Sequence, residues 1–301
     1  MEKKIEGESF SWLLCEETDS CLIENVVDDY TFIDMTRNTC GVLGVTEKDE
    51  GEDGGYLDIL FEREIDFWFR RNQYMGFDNR IKCARLEEIS WILETILILG
   101  FRFQTAYLSI TYFDRFLSKM PIDCEKSWTV RLLSVACVSL AAKLEERGRR
   151  PLSQFQIEDY NFDNKSIQRM ELLVLNTLEW RMISITPFPF LHYLIIKFCK
   201  NSPSKNIMSR TVGFILALMR EINLMDHRPS SIAAAAILMA MDHSLTRQAL
   251  ECKINSVSYS GFLELEDVFQ CYNLIQKLET KNLKQQKLVN SQVVSPTQSR
   301  P

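Results

Sequence analysis

The chain has 301 residues, 46% of them hydrophobic and 25% charged, the make-up of a globular protein with enough length for about two domains. Its formal charge of −6 divides unevenly: residues 1–55 hold fifteen Asp or Glu against four Lys or Arg, a balance of −11, which leaves +5 for residues 56–301. That modest positive balance argues against a basic nucleic-acid-binding face, and apolar stretches no longer than Leu132–Ala142 and Ile232–Met241 fall short of the ~18 residues of a membrane span.

The first residues, Met1 to Glu8, carry acids and no apolar run follows them, so neither a secretory signal nor a transit peptide is expected. Residues 1–55 also hold six of the eleven glycines. Such a segment buries too little apolar surface to offset the entropy of ordering, and a disordered acidic arm is expected there. From Tyr56 glycine becomes rare and apolar residues recur at three- and four-residue spacing, the period of a helix. The pattern predicts helices at about 56–73, 81–99, 103–119, 126–146, 153–160 and 164–180, then at about 187–200, 207–223, 229–243, 246–254 and 261–285. Pro121, Pro151, Pro187, Pro203 and Pro229 fall at their edges or in connections, where a missing amide costs little.

Two of these helices are apolar on nearly every face and rich in small side chains, at Leu132–Ala142 and Ile232–Met241. Each is expected to be surrounded by others, since Ala, Ser and Cys let helices approach closely. They lie about a hundred residues apart, so two similar all-α domains joined near Arg181–Thr186 are predicted, at 56–185 and 186–285, with a flexible tail at 286–301.

Nine cysteines without a Cys-x-x-Cys pair and His192, His227 and His243 without ligand spacing argue for reduced thiols and against a metal site. No phosphate-binding glycine loop, nucleophile elbow, zinc-protease motif or kinase catalytic loop is present. A binding scaffold without cofactor is therefore expected, not an enzyme. Three charges sit in apolar company: Arg85 at the head of a largely apolar helix, Asp114 between aromatics in Tyr112–Leu117, and Lys143 at the end of the first apolar helix. A buried pair between Arg85 and Asp114 would fix two helices. Lys143 is compatible with a last-turn cation facing the helix dipole or with a contact residue.

Arg85-x5-Trp91-Ile92-Leu93, Tyr112-Phe113-Asp114-Arg115-Phe116-Leu117, Leu132 to Glu146 and Arg169-Met170-Glu171-Leu172 together resemble the cyclin box. A second, weaker box would follow at about 187–280, so the resemblance implies two tandem five-helix folds after an N-terminal helix. It implies kinase contact by Lys143 and Glu171, with Leu132 and Glu145 beside them, and a structural role for Arg85 and Asp114. Leu13-Leu14-Cys15-Glu16-Glu17 fits Leu-x-Cys-x-Glu, the motif by which D-type cyclins bind retinoblastoma-type pocket proteins. In an extended segment Leu13, Cys15 and Glu17 share one face, two filling apolar pockets and the third meeting amides. Leu132–Lys143 and Glu179-Trp180-Arg181-Met182 are similar to the plant D-type pattern.

The family's groove for Arg-x-Leu docking peptides departs from type. Trp91 and Glu94 match its floor and rim, but Glu87 and Glu88 stand where aliphatics would be, so docking weaker and more dependent on basic residues is expected. The resemblance implies a regulatory subunit of a cyclin-dependent kinase that also recruits a pocket protein and promotes the G1/S transition, acting in the nucleus with some cytoplasmic pool. A kinase inhibitor is a further candidate partner; no membrane and no direct nucleic-acid contact are expected. The alternative is a transcription-machinery scaffold on the same tandem fold, which salt-sensitive nucleic-acid binding would reveal.

Overall fold

A computed structural model describes residues 59–65, 79–122, 126–146, 162–199, 206–220, 226–257 and 263–292, with residues 282–292 by backbone alone. The arm with Leu13, Cys15 and Glu17, and the expected helix at 153–160, lie outside the described residues. Among those described there are ten helices and no strand. In chain order they are α1 (59–65), α2 (Asn79–Leu99), α3 (Phe103–Lys119), α4 (Ser127–Glu145), α5 (Asn164–Thr177), α6 (Phe188–Phe198), α7 (Ile207–Arg220), α8 (Pro229–Met241), α9 (Arg247–Val257) and α10 (Leu265–Gln292).

The ends of these helices have local causes. After α2, Gly100 takes a left-handed φ of 63° and Phe101 N–H reaches back to the Ile96 carbonyl at 3.0 Å, the six-to-one bond that closes a helix at a glycine. Asp163 caps α5 by accepting from the Ser166 amide at 3.1 Å. Pro229 opens α8, where its missing N–H would have had no partner in any case. The pattern extends the sixth helix to about 180, but α5 stops at Thr177: Glu179 and Trp180 both adopt left-handed φ, 56° and 60°. Neither is glycine, so no sequence punctuation announces the break.

Helix α4 packs against α2, α3 and α5, and α8 against α6, α7 and α10. They are the two apolar hubs, with Val135–Val138 in α4 and Ile232–Met239 in α8 fully buried. By length and apolarity α4 could cross a membrane, yet its apolar surface is already covered by neighbouring helices. The core does not divide where the chain does. Ile89, Ile92 and Ile96 of α2 and Tyr107 and Ile110 of α3 join one continuous cluster with Phe188, Phe190, Ile215 and Ile237 of the second half. Tyr107 meets Phe188 edge-on at 6.4 Å. A smaller, separate cluster lies between α3, α4 and α5, built on Tyr112, Phe113, Phe116, Leu133, Ala136, Cys137 and Val174.

Candidate functional site

The C-terminal turn of α4 and the face of α5 beside it carry the first group of predicted residues. Lys143 Nζ lies 2.6 Å from both carboxylate oxygens of Glu171. The two side chains differ in access, 55% exposed for Lys143 and 10% for Glu171, so the acid is seated and the ammonium reaches outward on its aliphatic stem. Leu172 and Leu173, next to Glu171, and Leu144, next to Lys143, are exposed, as is Ile183 in the connection between the halves. Leu144 and Ile183 line one groove with Leu108, Tyr112, Met182 and Glu145. Exposed apolar side chains thus stand next in sequence to both members of the ion pair.

Glu145 borders that groove, and burial pushes its carboxyl above the usual range while the Arg102 charge opposes the shift. Its neighbour Glu146 turns inward, accepting from the Arg102 amide at 2.9 Å and from the Thr105 hydroxyl at 2.5 Å. Glu146 thus caps α3, whose own N-cap, Arg102, offers no side-chain bond. Tyr112 Oη donates to the Met182 carbonyl at 2.7 Å, fixing the connection that carries Ile183. Leu132 departs from its expected contact role. It lies three turns before Lys143 along α4 but is buried, 7% exposed.

Arg85 and Asp114 form a bidentate pair, Nε to Oδ1 at 2.6 Å and Nη2 to Oδ2 at 2.7 Å. Their side chains are 0% and 1% exposed. The pair joins the first third of α2 to the last third of α3, below the surface. Paired guanidinium and carboxylate planes satisfy each other in a way a single contact would not.

Farther along α2, Glu87 and Glu94 are exposed, whereas Glu88 is buried. Arg131 of α4 donates from Nε to Glu88 at 2.8 Å and lays its guanidinium over the Trp91 ring, 4.6 Å from the centroid. The acids expected to occupy the groove together are therefore separated: one is neutralised inside, and its partner covers the tryptophan floor. This three-residue stack was not foreseen from sequence, because it depends on the register of α4 against α2. Among the described residues no group of three His, Cys, Asp or Glu could hold a metal ion.

Residues 56–183 match the family profile of the cyclin N-terminal domain, and residues 185–300 that of the cyclin C-terminal domain. Arabidopsis thaliana Cyclin-D5-1 is 35% identical over 91% of this chain and 85% of its own length. The chain is a cyclin of the plant D-type branch. Rice Cyclin-D5-1 and Cyclin-D5-2 are 45% and 42% identical, over 63% and 64% of this cyclin. Those alignments span 53% and 57% of the rice proteins, so the cyclin covers little more than half of their length. A viral cyclin from herpesvirus saimiri shares the fold, with a TM-score of 0.58 at 17% identity, over 74% of this cyclin and 95% of the viral chain.

Proposed function

We propose that this cyclin is the regulatory subunit of a cyclin-dependent kinase complex and takes no catalytic part itself. The observation that carries the reading is the Lys143–Glu171 pair, seated on one side, open on the other and flanked by exposed Leu144, Leu172, Leu173 and Ile183. An ammonium with donors to spare and a carboxylate with free lone pairs can meet the carbonyl and amide groups at a helix end of a partner. The leucines would take up that helix's apolar side chains. Binding the active arrangement of a mobile kinase helix in preference to others shifts the kinase toward that arrangement.

The arm residues Leu13, Cys15 and Glu17 would hold a retinoblastoma-type pocket protein beside the kinase, raising its local concentration as a substrate and promoting the G1/S transition. The expected place of action is the nucleus, with some cytoplasmic pool. A kinase inhibitor that approaches through an Arg-x-Leu segment would meet Arg131 over Trp91, not an open apolar floor.

Co-purification of this cyclin with a panel of cyclin-dependent kinases tests the reading. Lys143→Glu sets a second carboxylate against Glu171 and is expected to abolish capture and activation of the kinase. Because Glu171 is seated, melting curves of the variant and the wild type are measured beside the capture, so that a lost contact is told apart from a lost fold. Undiminished kinase activation by Lys143→Glu would overturn the reading.

A further inference from the structure

Helix α1 opens the segment that matches the cyclin N-terminal domain, yet it also makes contacts with the second box. Leu60 and Phe61 are buried in the cluster shared with the second box, and the Phe61 ring lies 5.1 Å from that of Phe190. One turn on, the Glu64 carboxylate accepts from the Ser230 amide at 2.7 Å and meets the Ser230 hydroxyl at 2.6 Å. Ser230 stands in the first turn of α8, the hub of the second box, where the N-cap residue Arg228 supplies no side-chain bond. Glu64 therefore does for α8, from 166 residues away, what a local Ser or Asp does for most helices. At 2% exposure it is among the least accessible acids described.

The surroundings decide which form of the acid the contact prefers. Both hydrogen bonds come from one serine, and the Arg228 guanidinium, the nearest cation from the segment before α8, is engaged elsewhere: 2.9 Å from Glu264 and 3.8 Å from Asp267. Among the described residues Asp267 is the other charged group that acts on Glu64, and Asp267 in turn feels Glu264, Arg228, His227 and Glu266. On α1 itself Glu62 and Arg63 point outward. A buried carboxylate without a cation of its own is costly. A neutral carboxyl keeps both contacts, its carbonyl oxygen accepting from the amide and its hydroxyl donating to Ser230 Oγ.

We propose that Glu64 and Ser230 form a proton-sensitive clasp that fastens α1 to the second cyclin box, closed when Glu64 is neutral and loosened when it ionises. Burial pushes the Glu64 carboxyl up to about 7, against the lowering effects of Ser230 and Arg228. Because this value lies above the ordinary 4.5, the contribution of Glu64 to stability is full below about 4.5 and is lost as pH rises through about 7. The neutral fraction falls about tenfold between about pH 6 and pH 8, so the clasp responds across the neutral range. The inference is independent of kinase binding.

Hydrogen exchange of the α1 amides in the full chain, corrected for intrinsic rates, provides the test. Wild-type protection is expected to fall at least about fivefold between about pH 6 and pH 8, while Glu64→Gln, an uncharged mimic of the closed form, changes by less than about twofold. Equal protection of the wild type at both pH values, or the same loss in Glu64→Gln, overturns the proposal. If the Gln variant does not fold, the Glu64 carboxyl resonance of the wild type decides the matter. A midpoint near 7 supports the clasp, and one near the ordinary ~4.3 refutes it.

Discussion

Arg85 and Lys143 are both cations on helices of the same box, and the structure assigns them opposite situations. Arg85 is enclosed and held by two bonds to Asp114, while Lys143 is more than half exposed and held to Glu171. Removing one member of the enclosed pair strands a charge in the core. Asp114→Ala is expected to lower stability by about 3–5 kcal/mol, measured by urea unfolding, whereas Lys143→Ala should cost less than about 1 kcal/mol. A cost for Asp114→Ala as small as that for Lys143→Ala would mean that the pair contributes nothing to the fold. The contrast was half legible beforehand. An arginine and an aspartate set in apolar runs have to be paired wherever they lie, but a lysine at a helix end suits a dipole partner as well as a contact residue, and only the resemblance to the cyclin box favoured the contact. The roles of Arg131 and Glu146 were not legible at all, since each depends on which residue of another helix lies opposite.

At the scale of elements, the helix positions followed from apolar spacing because helix period and burial reinforce each other. Phe103–Lys119 has the predicted bounds. Other bounds moved: α9 runs three residues past its expected end, α10 begins at Leu265 and continues to Gln292, into the stretch expected as a flexible tail, and α5 ends three residues early where Glu179 and Trp180 turn left-handed without glycine. That turn redirects the chain into the segment whose Met182 carbonyl is held by Tyr112, and so it places Ile183 beside Leu144. The contact between α2 and α4 sets the face around Trp91, the proposed docking face, in a similar way. With Arg131 drawn over Trp91 by Glu88, a peptide that carries Arg-x-Leu must displace a cation–π contact of ~0.5–2 kcal/mol before it touches the ring. The double variant Glu88→Leu with Arg131→Gln is expected to bind such a peptide at least about tenfold more tightly than the wild type by fluorescence anisotropy, a gain of about 1.4 kcal/mol. No gain would show that the stack does not close the groove.

For the molecule as a whole, the expected division into an arm and two helical domains came from a change of composition at Tyr56 and from two apolar hubs a hundred residues apart. Both signals are properties of the chain alone. What sequence spacing could not convey is that the boxes share a core, because long-range contact leaves no periodic mark. The proposed function makes the two ends of the molecule separable: Cys15→Ala is expected to lose the pocket protein in co-purification and keep the kinase, the reverse of Lys143→Glu. Loss of both partners in either variant would argue against two independent sites. The shared core has a consequence for how such a protein can change over generations. Ile89, Ile92 and Tyr107 on one side and Phe188, Phe190 and Ile237 on the other form a single jigsaw, so an exchange of one half with a cousin would join pieces cut for different partners. The tandem arrangement looks modular along the chain, but its two halves are bound to evolve as a couple.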